Sequence, residues 1–283
     1  MELEQVPLAQ RFEKMHGIGN DYVILDGFAG PLALDAARIR AIADRHFGIG
    51  CDQVLVLEPA TVDDAHARYR IFNADGSEVE QCGNGTRCAA DYLLRHGQVQ
   101  GDCVRLQSLA GMLAVYVDLP GHYRVNMGVP RFQLAEIPLC RAQRAPRYEL
   151  ALTQGTVAFA AVSMGNPHAV ITVPDVDTAA VASLGPAFQA VADFPQSVNV
   201  GFMQVCAPDR IRLRVYERGV GETLACGSGA CAAVAAGRMN HGLGAEVRVE
   251  LKGGQLLIQW QGEGQPIWLT GPAAKVFEGS TDL

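Results

Sequence analysis

Apolar and polar positions along the 283-residue chain follow two periods, and strand-like runs outnumber helical ones. The stretches "DYVILD" (21–26), "QVLVLE" (53–58) and "ARYRIFN" (67–73) are short and β-rich, which predicts strands. "DAARIRAIADRHFG" (35–48) carries apolar residues at helical spacing and predicts a helix that stops at Gly48. "RCAADYLLRHG" (87–97) predicts another that stops at Gly97, and "VRLQSLAGMLAVYVDL" (104–119) reads as strand, turn near Gly111 and strand. The second half keeps this rhythm. "TVAFAAVSMG" (156–165) and "HAVITV" (168–173) flank a turn, and "TAAVASLGPAFQA" (178–190) is helix-like with a break expected at Gly185-Pro186. Strands are predicted for "SVNVGFMQVC" (197–206) and "RIRLRVYERG" (210–219), and a helix for "GACAAVAAGRMNHG" (229–242). A hairpin across Gly253-Gly254 follows in "EVRVELKGGQLLIQWQ" (246–261).

The two halves also share side chains at nearly constant offset. Asn20 in "GIGND" and Asn166 in "MGNPH" lie 146 positions apart, as do Gln53 and Asn199, each opening a strand. Asn73 and Glu217, each closing a strand, lie 144 apart, as do Cys82 in "QCGNGTRCAA" and Cys226 in "LACGSGACAA". Four such matches in the same order argue for an internal duplication. The expected architecture is two similar α/β domains that join around 120–130, with the polar ends of their strands facing a shared cleft.

Composition changes the picture little. Apolar residues make up 49% and charged residues 19%, as in globular proteins. No apolar run approaches the ~18 residues of a membrane span, and the N-terminal stretch lacks the basic-then-apolar order of a secretory signal. Cytoplasm is the expected location. A net charge of −7 argues against a nucleic-acid partner, because phosphate binding needs a clustered basic surface. The eight cysteines have no paired metal-type spacing, so no metal site is expected, and in a cytosolic chain reduced thiols are expected. Cys51, Cys88, Cys103, Cys140, Cys206 and Cys231 read as packing residues.

Cys82 and Cys226 differ from these because each precedes a helix among glycines. The glycines let the backbone approach a ligand closely, and the helix start adds unsatisfied N–H donors and partial positive charge. That setting attracts a carboxylate and is expected to lower a thiol pKa below its free value of about 8.5. Two such thiols suit inversion of an amino-acid α-carbon: one, as thiolate, removes a proton from one face, and the other, as thiol, supplies one to the opposite face. Pyridoxal phosphate would need a lysine, yet Lys14, Lys252 and Lys275 are the only three and none stands beside a phosphate-binding glycine loop. The carbanion would then be stabilised by preorganised backbone donors, each contributing roughly 3 kcal/mol in the transition state.

The stretches "FEKMHGIGNDYVILD", "NADGSEVEQCGNGTRCAA", "MGNPHAV" and "ERGVGETLACGSGACAA" closely resemble the diaminopimelate epimerase family, from about residue 12 to the C-terminal "KVFEG". The resemblance implies an α/β (α+β) fold of two domains, each an antiparallel, barrel-like sheet around a central helix, with the active site in the interdomain cleft. The domains are expected at 1–126, completed by the C-terminal segment 272–283, and at 127–271. The implied activity is cofactor-independent conversion of LL-2,6-diaminopimelate to the meso form, for lysine and peptidoglycan synthesis. Carried over, Cys82 and Cys226 become the acid/base pair, with Cys82 the base for the LL isomer. Gly83, Asn84, Gly227 and Ser228 hold the reacting carboxylate; Asn20, Gln53, Asn73, Asn166 and Asn199 form an amide ring; Glu217 and Arg218 add charge recognition. His168 and Glu217 tune the thiols.

Blander readings stand beside these. Asn166-Pro167 and Asn73 also suit turns, His168 a strand edge, and Glu217 with Arg218 a solvated ion pair. The spacing from Cys82 to Cys88 exceeds that from Cys226 to Cys231 by one residue. Phe277 stands where some relatives carry a tyrosine linked to dimer packing; a homodimer is still expected. A proline or hydroxyproline racemase shares the two-cysteine chemistry, but its substrates lack a second zwitterionic end for Arg218 and the amides. A thiol redox switch is a further alternative. A dinucleotide site at "GIGND" and "GIGCD" lacks the final glycine and is followed by strands.

Overall fold

The computed structural model describes residues 10–79, 83–109, 111–153 and 155–282. The chain divides into two compact units, one of Met1–Gly17, Asp21–Tyr123 and Pro272–Leu283, the other of Ile18–Asn20 and Arg124–Gly271. The elements run β1 (Gln10–Gly17), β2 (Asn20–Asp26), α1 (Ala36–Ala43), β3 (Gln53–Glu58), β4 (Ala67–Asn73) and β5 (Glu78–Val79). Next come α2 (Gly83–Arg95), β6 (Cys103–Ser108), β7 (Gly111–Leu119), β8 (His122–Asn126), β9 (Tyr148–Leu152) and β10 (Gly155–Ser163). They are followed by β11 (Pro167–Thr172), α3 (Val181–Gln189), β12 (Asn199–Ala207), β13 (Arg210–Glu217) and β14 (Gly221–Thr223). The chain closes with α4 (Gly227–His241), β15 (Glu246–Leu251), β16 (Gly254–Trp260), β17 (Ile267–Pro272) and β18 (Ala274–Thr281).

The duplication extends to strand register. In the first unit β2 runs parallel to β3, β3 antiparallel to β4, β4 antiparallel to β5 and parallel to β6, and β6 antiparallel to β7. The second unit repeats this order with β11, β12, β13, β14, β15 and β16. Tyr22 pairs with Gln53 and His168 with Asn199, so the matched polar residues occupy matched register positions. Two parallel pairings therefore interrupt each otherwise antiparallel sheet. A helix lies in each connection, α1 between β2 and β3, α2 between β4 and β6, α3 between β11 and β12 and α4 between β13 and β15, since a parallel partner cannot be reached by a tight hairpin.

Each sheet has apolar residues on both faces. Along β12, Val200 and Phe202 pack with Phe159 and Phe188 toward α3, whereas Met203 joins Val234 and Trp260 around α4. A strand covered on both sides reads as a continuous apolar run, as "NVGFM" does. The helices that follow the cysteine motifs are enclosed: α2 is buried from Asn84 to Leu93 and α4 from Gly229 to Gly237. Small residues fill α4 because β10, β11, β12, β13 and β16 pack around it. No helix among the described residues is long and apolar enough to cross a membrane.

Three predicted helices differ from expectation. Helix α1 ends at Ala43 and not at Gly48, because the Asp44 carboxylate accepts the His46 and Phe47 N–H groups and turns the chain. Helix α3 runs unbroken through Gly185-Pro186. Gly185 serves packing there: a Cβ would lie 2.4 Å from Tyr216 Cγ on β13. Helix α2 also begins earlier than the apolar periodicity suggests, at Gly83.

Strand β1 buries charge. Glu13 is 3% exposed and meets Arg95 Nη2 and His96 Nε2, each at 2.6 Å, with Lys275 Nζ at 3.4 Å. Burial raises the Glu13 pKa, but the Arg95 and His96 hydrogen bonds and the Arg95 and Lys275 charges outweigh it, for a net lowering. A lowered carboxyl pKa stabilises the fold above the unfolded carboxylate range, and that contribution is lost as pH falls through it. Glu13→Ala is expected to cost about 3 kcal/mol at pH 7. Urea unfolding should show the gap from wild type narrowing below about pH 4.

Candidate active site

Cys226 is the N-cap of α4. Its Sγ accepts the Gly229 N–H at 3.4 Å, donates to Glu217 Oε2 at 3.1 Å and lies 3.6 Å from Ser228 Oγ. Gly229 makes the approach possible, since a Cβ there would sit 3.2 Å from this sulfur and 3.0 Å from Val215. Glu217 reaches the thiol from the end of β13, and Thr223 Oγ1 donates to its other oxygen at 2.5 Å. The chain of contacts continues through Ser228 Oγ to Asn166 Nδ2 at 3.5 Å, and from Asn166 Oδ1 to His168 Nε2 at 3.0 Å. Asn199 is tied nearby: its Nδ2 donates to the Pro167 carbonyl at 3.0 Å, and its Oδ1 accepts the Arg218 N–H at 2.9 Å. The Arg218 guanidinium donates to the Gln196 carbonyl at 2.9 Å. The structure thus brings Asn166, His168, Asn199, Glu217, Arg218, Cys226 and Ser228 together, with Gly227 opening α4.

The first unit carries the matching polar set. Gln53 Nε2 donates to Asn73 Oδ1 at 2.9 Å, and Asn73 Nδ2 to Ser77 Oγ at 3.1 Å. Gln53 Oε1 is buried without a hydrogen-bond partner among the described residues. Gly83 opens α2, and Asn84 Oδ1 accepts from the fully buried Arg87 at 2.9 Å. Asn20 opens β2 after the Ile18-Gly19 turn, in the segment that belongs to the second unit. Cys82 lies outside the described residues.

The "GIGND" and "GIGCD" stretches prove to be a strand clamp. The Asp52 N–H donates to Asp21 Oδ1 at 2.9 Å and the Asp21 N–H to Asp52 Oδ2 at 3.1 Å, which fixes the starts of β2 and β3. Arg45 spans both carboxylates, and Lys14 reaches Asp21 at 2.6 Å. Burial opposes ionisation of Asp21, yet the Arg45 and Lys14 contacts hold its carboxyl far below the usual range. A strand follows each stretch, so neither offers a helix start to a dinucleotide phosphate.

Electrostatics correct one expectation. Burial first, and then the Glu217 carboxylate, push the Cys226 thiol well above its ordinary pKa; the Ser228 and Gly229 hydrogen bonds act the other way but are outweighed. The helix start does not make a thiolate here, and Cys226 is a thiol aimed at a carboxylate. Full burial, with the Arg218 charge beside it, lowers His168 to about 3, so its ring is neutral. All three lysines are ion-paired: Lys14 with Asp21, Lys252 with Glu222, Lys275 with Glu13 and Glu278. Among the described residues no cluster of three or more His, Cys, Asp or Glu side chains could hold a metal. Sequence reasoning missed Thr223 and Arg87. Arg87 stood in view within "GNGTRC", whereas Thr223 becomes visible only once the two hairpins are aligned.

Comparison with known proteins identifies the family. Residues 12–133 and 160–276 match the family model of diaminopimelate epimerase. The chain is 51% identical over 273 residues to the diaminopimelate epimerase of Nitrosospira multiformis, covering 96% of this chain and 98% of the relative. It is 53% identical over 273 residues to that of Azoarcus sp. strain BH72, covering 96% and 99%. A crystal structure of a probable proline racemase from Agrobacterium radiobacter K84, with bound carbonate, superposes with a TM-score of 0.70 at 17% identity. It covers 97% of this chain and 93% of that one, a likeness of fold. With cysteine motifs, duplicated strand register and half-identical relatives over nearly its whole length, the chain belongs to the diaminopimelate epimerase family.

Proposed function

We propose that this chain interconverts LL- and meso-2,6-diaminopimelate without a cofactor, by proton transfer between Cys82, Cys226 and the substrate α-carbon. The observation that carries the reading is Cys226 Sγ at the start of α4, with its proton directed to Glu217 Oε2 at 3.1 Å. In the LL-to-meso direction the Cys82 thiolate takes the α-proton from one face. The Cys226 thiol delivers its own proton to the other face, and Glu217 keeps that proton on sulfur until it is used. Reversal exchanges the roles. The N–H groups of Gly227 and Ser228, and those of Gly83 and Asn84, stabilise the carboxylate as charge builds on it.

The remaining polar residues recognise the two zwitterionic ends. The buried Gln53 Oε1 is an acceptor suited to an ammonium group. Asn20, Asn73, Asn166 and Asn199 supply neutral donors and acceptors, and Arg218 supplies positive charge. Neutral His168 orients Asn166 without adding charge beside the thiol. The small-molecule substrate needs neither nucleic acid nor a membrane, and we extend the reading to a cytoplasmic homodimer. Phe277 supports this last part: it is 45% exposed on β18 and rests edge-on against Phe12.

Purified protein should convert LL-diaminopimelate to the meso form and leave L-proline unchanged, as followed by chiral chromatography. Turnover of proline with no action on diaminopimelate would replace this assignment with the proline-type racemase.

A further inference from the structure

Glu217 and Thr223 stand on one hairpin. Strands β13 and β14 pair Val215 with Thr223 and Glu217 with Gly221, so the two side chains are diagonal neighbours on one face. Thr223 Oγ1 donates to Glu217 Oε1 at 2.5 Å while Cys226 Sγ donates to Oε2 at 3.1 Å. Each oxygen of the carboxylate therefore has its own donor.

The duplication supplies an internal control. In the first unit Val79 pairs with Ile71 as Thr223 pairs with Val215, with an offset of 144 at both positions. Asn73 takes the place of Glu217 at the same offset. The hairpin with a carboxylate thus carries a hydroxyl, and the hairpin with an amide carries a valine. Asn73 has other partners, with Gln53 on its Oδ1 and Ser77 on its Nδ2. The two positions differ between the halves as a pair, which ties the hydroxyl to the carboxylate and not to the hairpin itself.

We infer that Thr223 is a positioning residue: its hydroxyl keeps Glu217 ionised and turned so that the proton of Cys226 stays on sulfur. The inference rests on the reading of Cys226 as an acid/base. The proton between Cys226 and Glu217 has two arrangements, thiol with carboxylate or thiolate with carboxylic acid, and a donor to Oε1 favours the first. Without that donor the proton moves toward Glu217 or the carboxylate turns away, and either change makes Cys226 easier to ionise. The titratable and charged groups around the pair, among the described residues, are His168 on β11, buried and neutral, and Arg218 on the β13–β14 turn, bonded to Gln196. Glu222 on β14 is committed to Arg214 and Lys252.

Thr223→Val removes the hydroxyl at nearly constant shape, and Thr223→Ser retains it. Protein labelled with 13C at cysteine Cβ reports ionisation by NMR, the Cys226 signal being identified by its loss in Cys226→Ser. In Thr223→Val this signal should begin to titrate at least about one pH unit below wild type, a tenfold change in thiolate fraction. The kcat should fall about 10- to 100-fold with KM within about twofold. Thr223→Ser should restore both. A Cys226 signal that responds to pH alike in wild type and Thr223→Val, or a serine variant as altered as the valine one, overturns the inference. The NMR measurement needs no substrate, so a wild-type protein inactive on diaminopimelate would refute the assigned reaction while leaving this result legible.

Discussion

Cys226→Ala is expected to lower epimerisation by about 10⁴-fold or more, the upper end of what one acid/base group contributes. The size follows from geometry: each face of the α-carbon has a single proton donor or acceptor in the proposed reaction, so removing one leaves no bypass. Glu217 keeps its Thr223 hydrogen bond in the variant, and the buried volume lost is one sulfur atom. Circular dichroism and the unfolding midpoint should therefore stay close to wild type. Cys82 would remain able to abstract the α-proton of the LL isomer and return one to the same face. Deuterium from solvent should then enter LL-diaminopimelate without inversion, at a rate well above that of the meso product. Full epimerase activity in Cys226→Ala would sink the two-base account.

The second large effect is expected for Glu217→Gln, with kcat/KM falling about 10³-fold. Glutamine preserves the shape but has one acceptor oxygen where the carboxylate has two. In the native geometry its NH2 then faces either Thr223 or Cys226, although both donate to oxygens there. The negative charge that helps hold the Cys226 thiol high is lost as well. The Cys226 titration should move to lower pH, so the residue becomes a poorer reservoir of the proton it must deliver. Steady-state kinetics in both directions, with the 13C-cysteine titration described above, measure the two consequences separately. The decline in kcat/KM should be equal in both directions, because the overall equilibrium constant is independent of the enzyme.

Much of this arrangement was legible in the residues. Short alternating or continuous apolar runs marked most strands. The constant offset between the halves anticipated matched register, as it is found at Gln53 and Asn199. What escaped depends on contacts distant in sequence. The burial of charged Glu13 and Lys14 on strand β1 depends on Arg95, His96, Lys275 and Asp21 from elsewhere in the fold. Pro186 suggested a break that α3 does not have, and the glycine before it answers to the approach of Tyr216 from a distant strand. The helix-start argument gave the wrong direction for Cys226, because burial and the Glu217 carboxylate outweigh a helix end. Local sequence shows the glycines and the helix, but the acid that faces the thiol arrives on another strand.

Incubation of the purified protein with LL-diaminopimelate in D2O, without added cofactor, separates two-base inversion from every alternative. Product stereochemistry and α-deuterium are followed together in the first turnovers. Two-base transfer gives meso product carrying solvent deuterium at the inverted centre, with the remaining LL substrate largely unlabelled early on. Meso product that retains the original α-hydrogen, or no inversion until pyridoxal phosphate or another cofactor is supplied, would contradict it.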